Sequence, residues 1–313
     1  WRLDFQLGWD KDPEEEKKPE NVIPRVKAMM GDDVDFELEW ASVYTFQCRR
    51  MERFRKGRVL FTGDAAHQVS PFGARGANSG LQDTDNLIWK LKLVMEQKAP
   101  LKLLDTYCDE REFAADENIM NSTRATDFIT PKSAASKSFR DATLELSKRF
   151  EFARKLTNSG RLSDTAFLLD STLNTPDENS FEGDMVPGAV MSDAPVSGQN
   201  GEQWLLDSLG NHFTCLIFVN SADDISLSQL EVLETLQQDK IKLVPLVVMT
   251  GQAKTTIDEI HTLLDTGGIS KQRFDALSGT TYLVRPDQHV CARWRSLDAD
   301  KVRQSMLRAT ANL

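Results

Sequence analysis

Apolar and polar residues alternate along this chain with two different periods. Residues 1–10 alternate with period two, as a half-buried strand does, and Val34 opens a longer alternation that sets Phe36, Leu38 and Trp40 on one face, with Tyr44 and Phe46 following. Both stretches predict strands of an antiparallel sheet. Trp40, Tyr44 and Phe46 are candidates to line a pocket, although core packing is the commoner fate of aromatics at strand spacing. Between the two stretches, KDPEEEKKPE (11–20) is charged and bounded by proline, which predicts a solvated loop, and residues 21–30 predict a short helix ending at Gly31.

The period then changes. A short apolar run from Arg58 to Thr62 stops at Gly63 and Asp64, a loop of Gly, Ala and Pro follows, and a helix is predicted from near Asn78, with Leu81, Ile88, Leu91 and Met95 as its buried face. A second helix is predicted from about Leu101 to Met120. Pro131 interrupts the pattern, and Phe139, Leu146, Phe150 and Ala153 mark a third amphipathic helix. Residues 171–183 (STLNTPDENSFEG) are polar and aperiodic, the pattern of an interdomain linker.

Beyond that linker the apolar runs become short and unbroken. Phe213–Val219 and Ile241–Met249 read as buried strands around a helix from Leu227 to Gln238. Two further strands, Thr281–Val284 and Val290–Trp294, flank an Arg285–Gln288 turn, and Asp298 is placed to cap a last helix reaching Ala309. The order β-α-β-α-β-β-α matches a thioredoxin-like sandwich. No paired cysteines follow its first strand, and Cys215 lies inside an apolar run, where a buried structural thiol is expected.

Composition narrows the function classes. The 313 residues are 40% hydrophobic and 27% charged, as in globular proteins. A net charge of −10 disfavours a general nucleic-acid partner, because phosphate is repelled by an acidic surface. No apolar run approaches a membrane span, so no membrane partner is expected. The cysteines at 48, 108, 215 and 291 form no CxxC pair, which predicts reduced thiols, a cytoplasmic location and no metal site. An Asp64–His67 pair has no further ligands nearby. The chain opens on a strand pattern with no initiator Met, so it is expected to be the C-terminal part of a longer polypeptide.

Most of the functional information lies in residues 57–91, GRVLFTGDAAHQVSPFGARGANSGLQDTDNLIWKL. A carboxylate at a strand end, a small-residue loop and a bare helix start together describe a cofactor cradle, since a helix N-terminus offers unpaired N–H groups and partial positive charge. This segment resembles the second FAD-binding motif of the flavin-dependent aromatic hydroxylases of the p-hydroxybenzoate hydroxylase type. More loosely, residues 1–56 resemble the end of that family's substrate-domain sheet, and 185–313 its thioredoxin-like C-terminal domain in the phenol and phenylpropionate hydroxylase branches. The implied fold class is α/β and α+β: sheet end (1–56), C-terminal part of an FAD-binding domain (57–170), linker (171–183) and thioredoxin-like domain (184–313).

The resemblance also implies residue roles. Asp64 binds a ribityl hydroxyl of FAD, and Gly63 and Gly76 let backbone approach the planar ring. Pro71 lies against the flavin near its C4a–N5 edge, and the N–H groups of Ala77 and Asn78 face the pyrimidine oxygen. No side chain is expected to be catalytic in itself. His67 packs beneath the loop, while Arg75 either raises the potential near the flavin or reaches solvent. The implied activity is an FAD-dependent, NAD(P)H-using monooxygenase that hydroxylates a phenolic or related aromatic compound through a flavin C4a-hydroperoxide. Its partners are that small substrate and dioxygen, and its assembly a homodimer. The family's Gly-rich pyrophosphate loop and its middle motif are absent, so this chain by itself is expected to bind FAD weakly or not at all. Two alternatives stay open: a non-catalytic assembly module, and an oxidase or epoxidase using the same cradle.

Overall fold

Where the chain alternates early on, the computed structural model, which describes all residues except 9, 72, 158–164, 200 and 252–259, contains less sheet than the pattern predicts. No strand forms over 1–8 or 32–48, and position 9 lies outside the described residues. Trp40 and Tyr44 are 72% and 74% exposed, so they join neither a core nor a closed pocket here. The physical reason is pairing: period-two alternation reports two unlike faces, but a strand exists only with a hydrogen-bonded neighbour, and none among the described residues lies beside these segments. The charged 11–20 segment departs in the opposite direction. It holds α1 (Pro13–Glu16), where the Asp12 side chain accepts from the Glu14 N–H and proline occupies the first turn. α2 (Pro19–Met30) ends at Gly31, whose φ of 109° suits a residue with no side chain.

Four two-residue strands follow: β1 (Arg49–Arg50), β2 (Arg55–Lys56), β3 (Val59–Leu60) and β4 (His67–Gln68), with β2 antiparallel to β3 and β1 to β4. Then come α3 (Arg75–Met95), α4 (Leu103–Ile129), α5 (Ala134–Ser147) and α6 (Glu151–Thr157). α4 runs a turn and more past Met120, and the third predicted helix is two, with Phe139, Leu146 and Phe150 exposed and Ala153 buried. The strand region is strapped along α4 by charge: Arg50, Arg53 and Arg55 meet Asp116, Asp109 and Asp105. Those acids recur at 4 and 7 residues, one stripe of the helix.

The face that α3 buries is the main departure. Leu81, Ile88 and Met95 are 71%, 54% and 75% exposed. The buried face carries Ser79, Asp83, Asn86 and Lys90 together with Leu87, Trp89 and Leu93. Its polar row meets a polar row on α4: Asn118 donates to Ser79 Oγ (3.1 Å), Arg111 to Asp83 (2.7 Å), and Asn86 and Lys90 both donate to Glu110 (2.8 and 2.7 Å). Each side chain of that polar row thus finds a partner, which avoids the cost of leaving it unmade.

The C-terminal part follows the pattern closely. It comprises β5 (Pro195–Gly198), β6 (Gly201–Trp204), β7 (Phe213–Val219), α7 (Leu227–Gln237), β8 (Leu243–Met249), β9 (His261–Leu264), α8 (Ile269–Arg273), β10 (Thr281–Val284), β11 (Val290–Trp294) and α9 (Ala299–Ala309). One sheet of order β11-β10-β7-β8-β9-β5-β6 results, with β7, β8 and β9 parallel and the rest antiparallel. The Asp298 side chain accepts from the Asp300 and Lys301 N–H groups and starts α9 where expected. Both faces of β7 are covered: Cys215, Ile217 and Val219 enter one core, Leu216 and Phe218 the other, which explains the unbroken apolar run.

The expected linker is packed against this sheet. Thr175 N–H donates to the Cys291 carbonyl (2.8 Å), and Asp177 receives Arg293 (2.6 Å). Leu168 N–H donates to the Gly188 carbonyl, and a Cβ at Gly188 would sit 2.4 Å from the Leu168 oxygen, at φ +96°. The core on the Cys215 face of the sheet also takes in Trp89, Leu93 and Leu103, so α3 and α4 share it with the sheet; Trp89 meets Phe213 edge-on at 5.5 Å.

At this joint lies a buried ionic cluster. Arg285, from the β10–β11 turn, grips Glu110 of α4 with both terminal nitrogens (2.6 and 2.9 Å) and Asp287 with two bonds (2.9 and 2.5 Å). Lys90 completes it, and Asn86 bonds both carboxylates. Burial alone would push Glu110 and Asp287 up, but Arg285 holds both below the usual carboxylate range, helped by Lys90 at Glu110 and by His289 at Asp287. Burial draws the Lys90 ammonium down to about 8, against the pull of Glu110. The cations of Lys90 and Arg285 lie 5.6 and 5.3 Å from the Trp89 ring centroid.

Candidate functional site

The Gly57–Leu91 segment forms a loop seated on α3 and α4. Gly63–Ala65 make a single 3-10 turn, with Gly63 at φ +58°. Here the backbone comes close to the helix: a Cβ built on Gly80 would lie 3.2 Å from the Gly63 Cα, so two glycines let turn and helix touch. Gly80 was not singled out by sequence, although it stands one helical turn beyond Gly76.

Polar side chains from below fasten the loop along its length. Tyr107 Oη donates to the Phe61 carbonyl (2.6 Å), and burial pushes that phenol well above its ordinary pKa. Gly63 N–H donates to Asp83 Oδ2 (3.0 Å), which also receives His67 Nε2 (2.7 Å). At the far end Ser70 Oγ bonds Ser122 (2.6 Å) and Thr126 (3.0 Å). None of Tyr107, Asp83, Ser122 or Thr126 stands out in the sequence, because helical polar residues look the same whether they face water or a loop. The signal available was spacing: Ser79, Asp83, Asn86 and Lys90 recur at 4, 3 and 4 residues, a polar stripe of helical period.

The structure brings the predicted residues onto this one loop and helix start. Asp64 is exposed, and no hydrogen bond or ion pair reaches it from the described residues. Pro71 is exposed, and its carbonyl accepts the Ala74 N–H at 3.1 Å. The helix begins at Arg75, three residues earlier than predicted, after Ala74 in a left-handed conformation (φ 52°) with no side-chain cap. By helix geometry the N–H groups of Gly76 and Ala77 then lack intrahelical acceptors, while that of Asn78 faces the Ala74 carbonyl, which also receives Asn78 Nδ2 at 2.8 Å. Among the described residues a Cβ added at Gly76 would meet only Val69 Cγ2, at 3.8 Å, so these neighbours do not demand a glycine there. Ala77 and Asn78 are exposed.

Two accessory residues are placed differently from each other. His67 is buried beneath the loop and stacks on Phe54 at 5.6 Å between ring centroids. Arg75 turns inward rather than to solvent and bonds Asn118. Next to it a cleft of about 490 Å³ is lined by Gly73, Arg75, Asn78, Gln82 and Asn118, among others. Among the described residues no cluster of three or more metal-ligating side chains occurs, and no helix is long and apolar enough to cross a membrane. All four cysteines are free: Cys48 is exposed and the others buried, with burial pushing the thiols of Cys215 and Cys291 up to about 12.

An acid that is exposed and without a partner among the described residues, a helix start with orphan donors and a glycine that no described neighbour requires are the features a flavin would use. Known proteins resemble this chain over both of its parts. Residues 1–122 match the FAD binding domain family, and residues 188–309 match the HcaD C-terminal domain. The chain is 28% identical over 293 residues to the 3-(3-hydroxy-phenyl)propionate/3-hydroxycinnamic acid hydroxylase of Escherichia coli, covering 93% of this chain and 52% of that one. It is 38% identical over 141 residues to the Paraburkholderia xenovorans enzyme of the same name, covering 45% of this chain and 23% of that one. The chain thus spans about half the length, or less, of these curated relatives. Among solved structures it resembles the flavin-dependent monooxygenase PieE in complex with FAD and substrate (TM-score 0.67, 23% identity, 97% of this chain and 56% of that one). It also resembles aklavinone-11 hydroxylase with FAD and aklavinone (TM-score 0.69, 22% identity, 96% and 52%). The chain has a mixed α/β fold, matches the FAD binding domain family over its first 122 residues and is similar to these hydroxylases over most of its own length.

Proposed function

We propose that this chain contributes the ribityl- and ring-facing part of an FAD site, in a monooxygenase that uses NAD(P)H and dioxygen to hydroxylate a phenolic or related aromatic compound. The observation that carries this reading is the exposed Asp64 carboxylate, without a partner among the described residues, placed ahead of the uncapped start of α3. Asp64 accepts from a sugar-alcohol hydroxyl, Pro71 stiffens the loop, Gly63 and Gly76 keep side chains away from the ring, and the amide of Ala77 faces its pyrimidine side, whereas that of Asn78, expected there from sequence, is taken up inside the helix by the Ala74 carbonyl. Orphan N–H groups and the helix dipole favour negative charge there, so this end of α3 stabilises the reduced cofactor. When bound, FAD supplies the exchange of reducing equivalents and the activation of dioxygen, while the protein orients and shields it. The names of the curated relatives suggest hydroxylated phenylpropionate or cinnamate compounds as the first substrates to try.

The domain division proposed is the one expected from sequence, with the C-terminal unit thioredoxin-like. Supporting this, β7 and β8 are parallel about α7, the β10–β11 hairpin lies on the other side of β7, and α9 follows. Its buried Cys215 and the lack of a CxxC pair assign it to packing rather than redox work.

The test is NAD(P)H oxidation by flavoprotein carrying this sequence. Stimulation by phenols with a matching yield of hydroxylated product is expected, and Asp64→Ala is expected to weaken FAD binding at least tenfold. NAD(P)H consumption with only hydrogen peroxide formed would move the reading to an oxidase. Unchanged FAD affinity in the variant would remove Asp64 from the site.

A further inference from the structure

Asp83 is fully buried, yet three donors converge on its carboxylate. Oδ2 accepts the Gly63 N–H at 3.0 Å and His67 Nε2 at 2.7 Å, and Oδ1 accepts Arg111 Nε at 2.7 Å. The donors come from three places: the turn that carries Asp64, the strand β4 that closes the loop, and α4 beneath. Asp83 itself sits on α3, two turns after the uncapped start. Arg111 is held in turn against Ser79 and Gln82, all at 3.4 Å. Burial alone would disfavour a charged carboxyl there; His67 and Arg111 reverse that and hold its pKa below the usual range.

We infer that Asp83 is the positioning residue of the cradle: one buried carboxylate that fixes the turn bearing Asp64 relative to the helix bearing Ala77 and Asn78. The inference rests on the flavin reading of that cradle. Its physical content is geometric. The two halves of the cradle come from different elements: Tyr107, Ser122 and Thr126 tie the loop to α4, whereas the Gly63–Gly80 contact and the Asp83 carboxylate join the turn to α3 itself. A binding constellation must be held to within about half an ångström by groups that do not themselves touch the ligand. Asparagine keeps the size of Asp83, but its single carbonyl oxygen cannot serve three donors, and its amide would point N–H at N–H.

Two measurements separate this role from a general one. Amide hydrogen exchange on the 313-residue chain, without cofactor, reads the loop directly. Asp83→Asn is expected to speed exchange at residues 60–68 at least tenfold while β7 exchanges as before. In flavoprotein carrying this sequence, the FAD dissociation constant is expected to rise at least tenfold in Asp83→Asn and His67→Ala. In His67→Gln, whose amide nitrogen can replace Nε2, it stays within about threefold of the parent. Unchanged loop exchange, an equal rise at β7, or equal losses in His67→Gln and His67→Ala would each overturn the inference. Asp64→Ala serves as the separate control: if it leaves FAD affinity untouched, Asp64 is not part of the site and the assignment of this turn to the cofactor fails, while the exchange data still judge whether Asp83 holds the loop.

Discussion

Replacing Arg285 by Met tests the ionic joint most directly. In the parent, four buried groups sum to zero charge, Lys90 and Arg285 against Glu110 and Asp287, and Arg285 alone makes four of the bonds. Methionine fills much of the space but leaves two carboxylates facing one ammonium. Removing one partner of a buried ion pair costs about 3–5 kcal/mol, a large part of the roughly 5–15 kcal/mol that folded domains possess. Urea unfolding followed by tryptophan fluorescence and far-UV circular dichroism measures it. With a slope of about 3 kcal/mol/M, the midpoint falls by about 1 M or more.

Lys90→Met provides the internal comparison. Lys90 makes two of the joint's bonds against four for Arg285, which stays in place against both carboxylates. Removing the ammonium is therefore the milder change. The pH dependence sharpens the test. Glu110 and Asp287 have depressed folded-state pKa values, so their contribution is present above about pH 4 and lost as pH falls through those values. In Arg285→Met, protonating one of the two carboxylates relieves their repulsion, so its deficit relative to the parent narrows on acidification. A midpoint within 0.3 M of the parent at pH 7, or a deficit that widens in acid, would refute the account of the joint.

Two further outcomes are expected. Gly188→Ala places a Cβ against the Leu168 carbonyl at an unfavourable φ and lowers stability by about 2 kcal/mol or more, whereas Gly201→Ala, also at positive φ but with open space around it, costs less; thermal melts of the pair decide. Under native conditions Ellman's reagent titrates Cys48 quickly and Cys108, Cys215 and Cys291 only on unfolding; a second fast thiol would contradict their burial.

Legibility differed between the two ends of the chain for a physical reason. In the C-terminal unit the signals are local: β10 and β11 begin and end where the apolar runs do, the Arg285–Gln288 turn separates them, and Asp298 caps its own helix. Helix α3 was legible as a helix but not in its orientation. Leu81, Ile88 and Met95 do recur at helical spacing, yet the side that packs is held by Ser79, Asp83, Asn86 and Lys90, and hydrophobicity scales count such residues as exposed. Their partners on α4 lie 20–39 residues away and carry no periodic mark. The cradle loop was readable because its residue types and their order are unusual. The side chains that hold it from below were not, since Tyr107 and Ser122 acquire that role only once α4 is laid beneath the loop.

One consequence follows from the 21 residues of α3. A helix of that length is a rod about 30 Å long. Two turns after its start it is bolted to the turn at Gly63 through Asp83, and less than one turn further on it is bolted to the β10–β11 hairpin through Asn86, which donates to Asp287. A rod clamped at two points cannot pivot at one without being levered at the other. Any force that shifts the hairpin therefore arrives at the Asp64 turn as a tilt, with no chain of rearranging side chains needed to carry it.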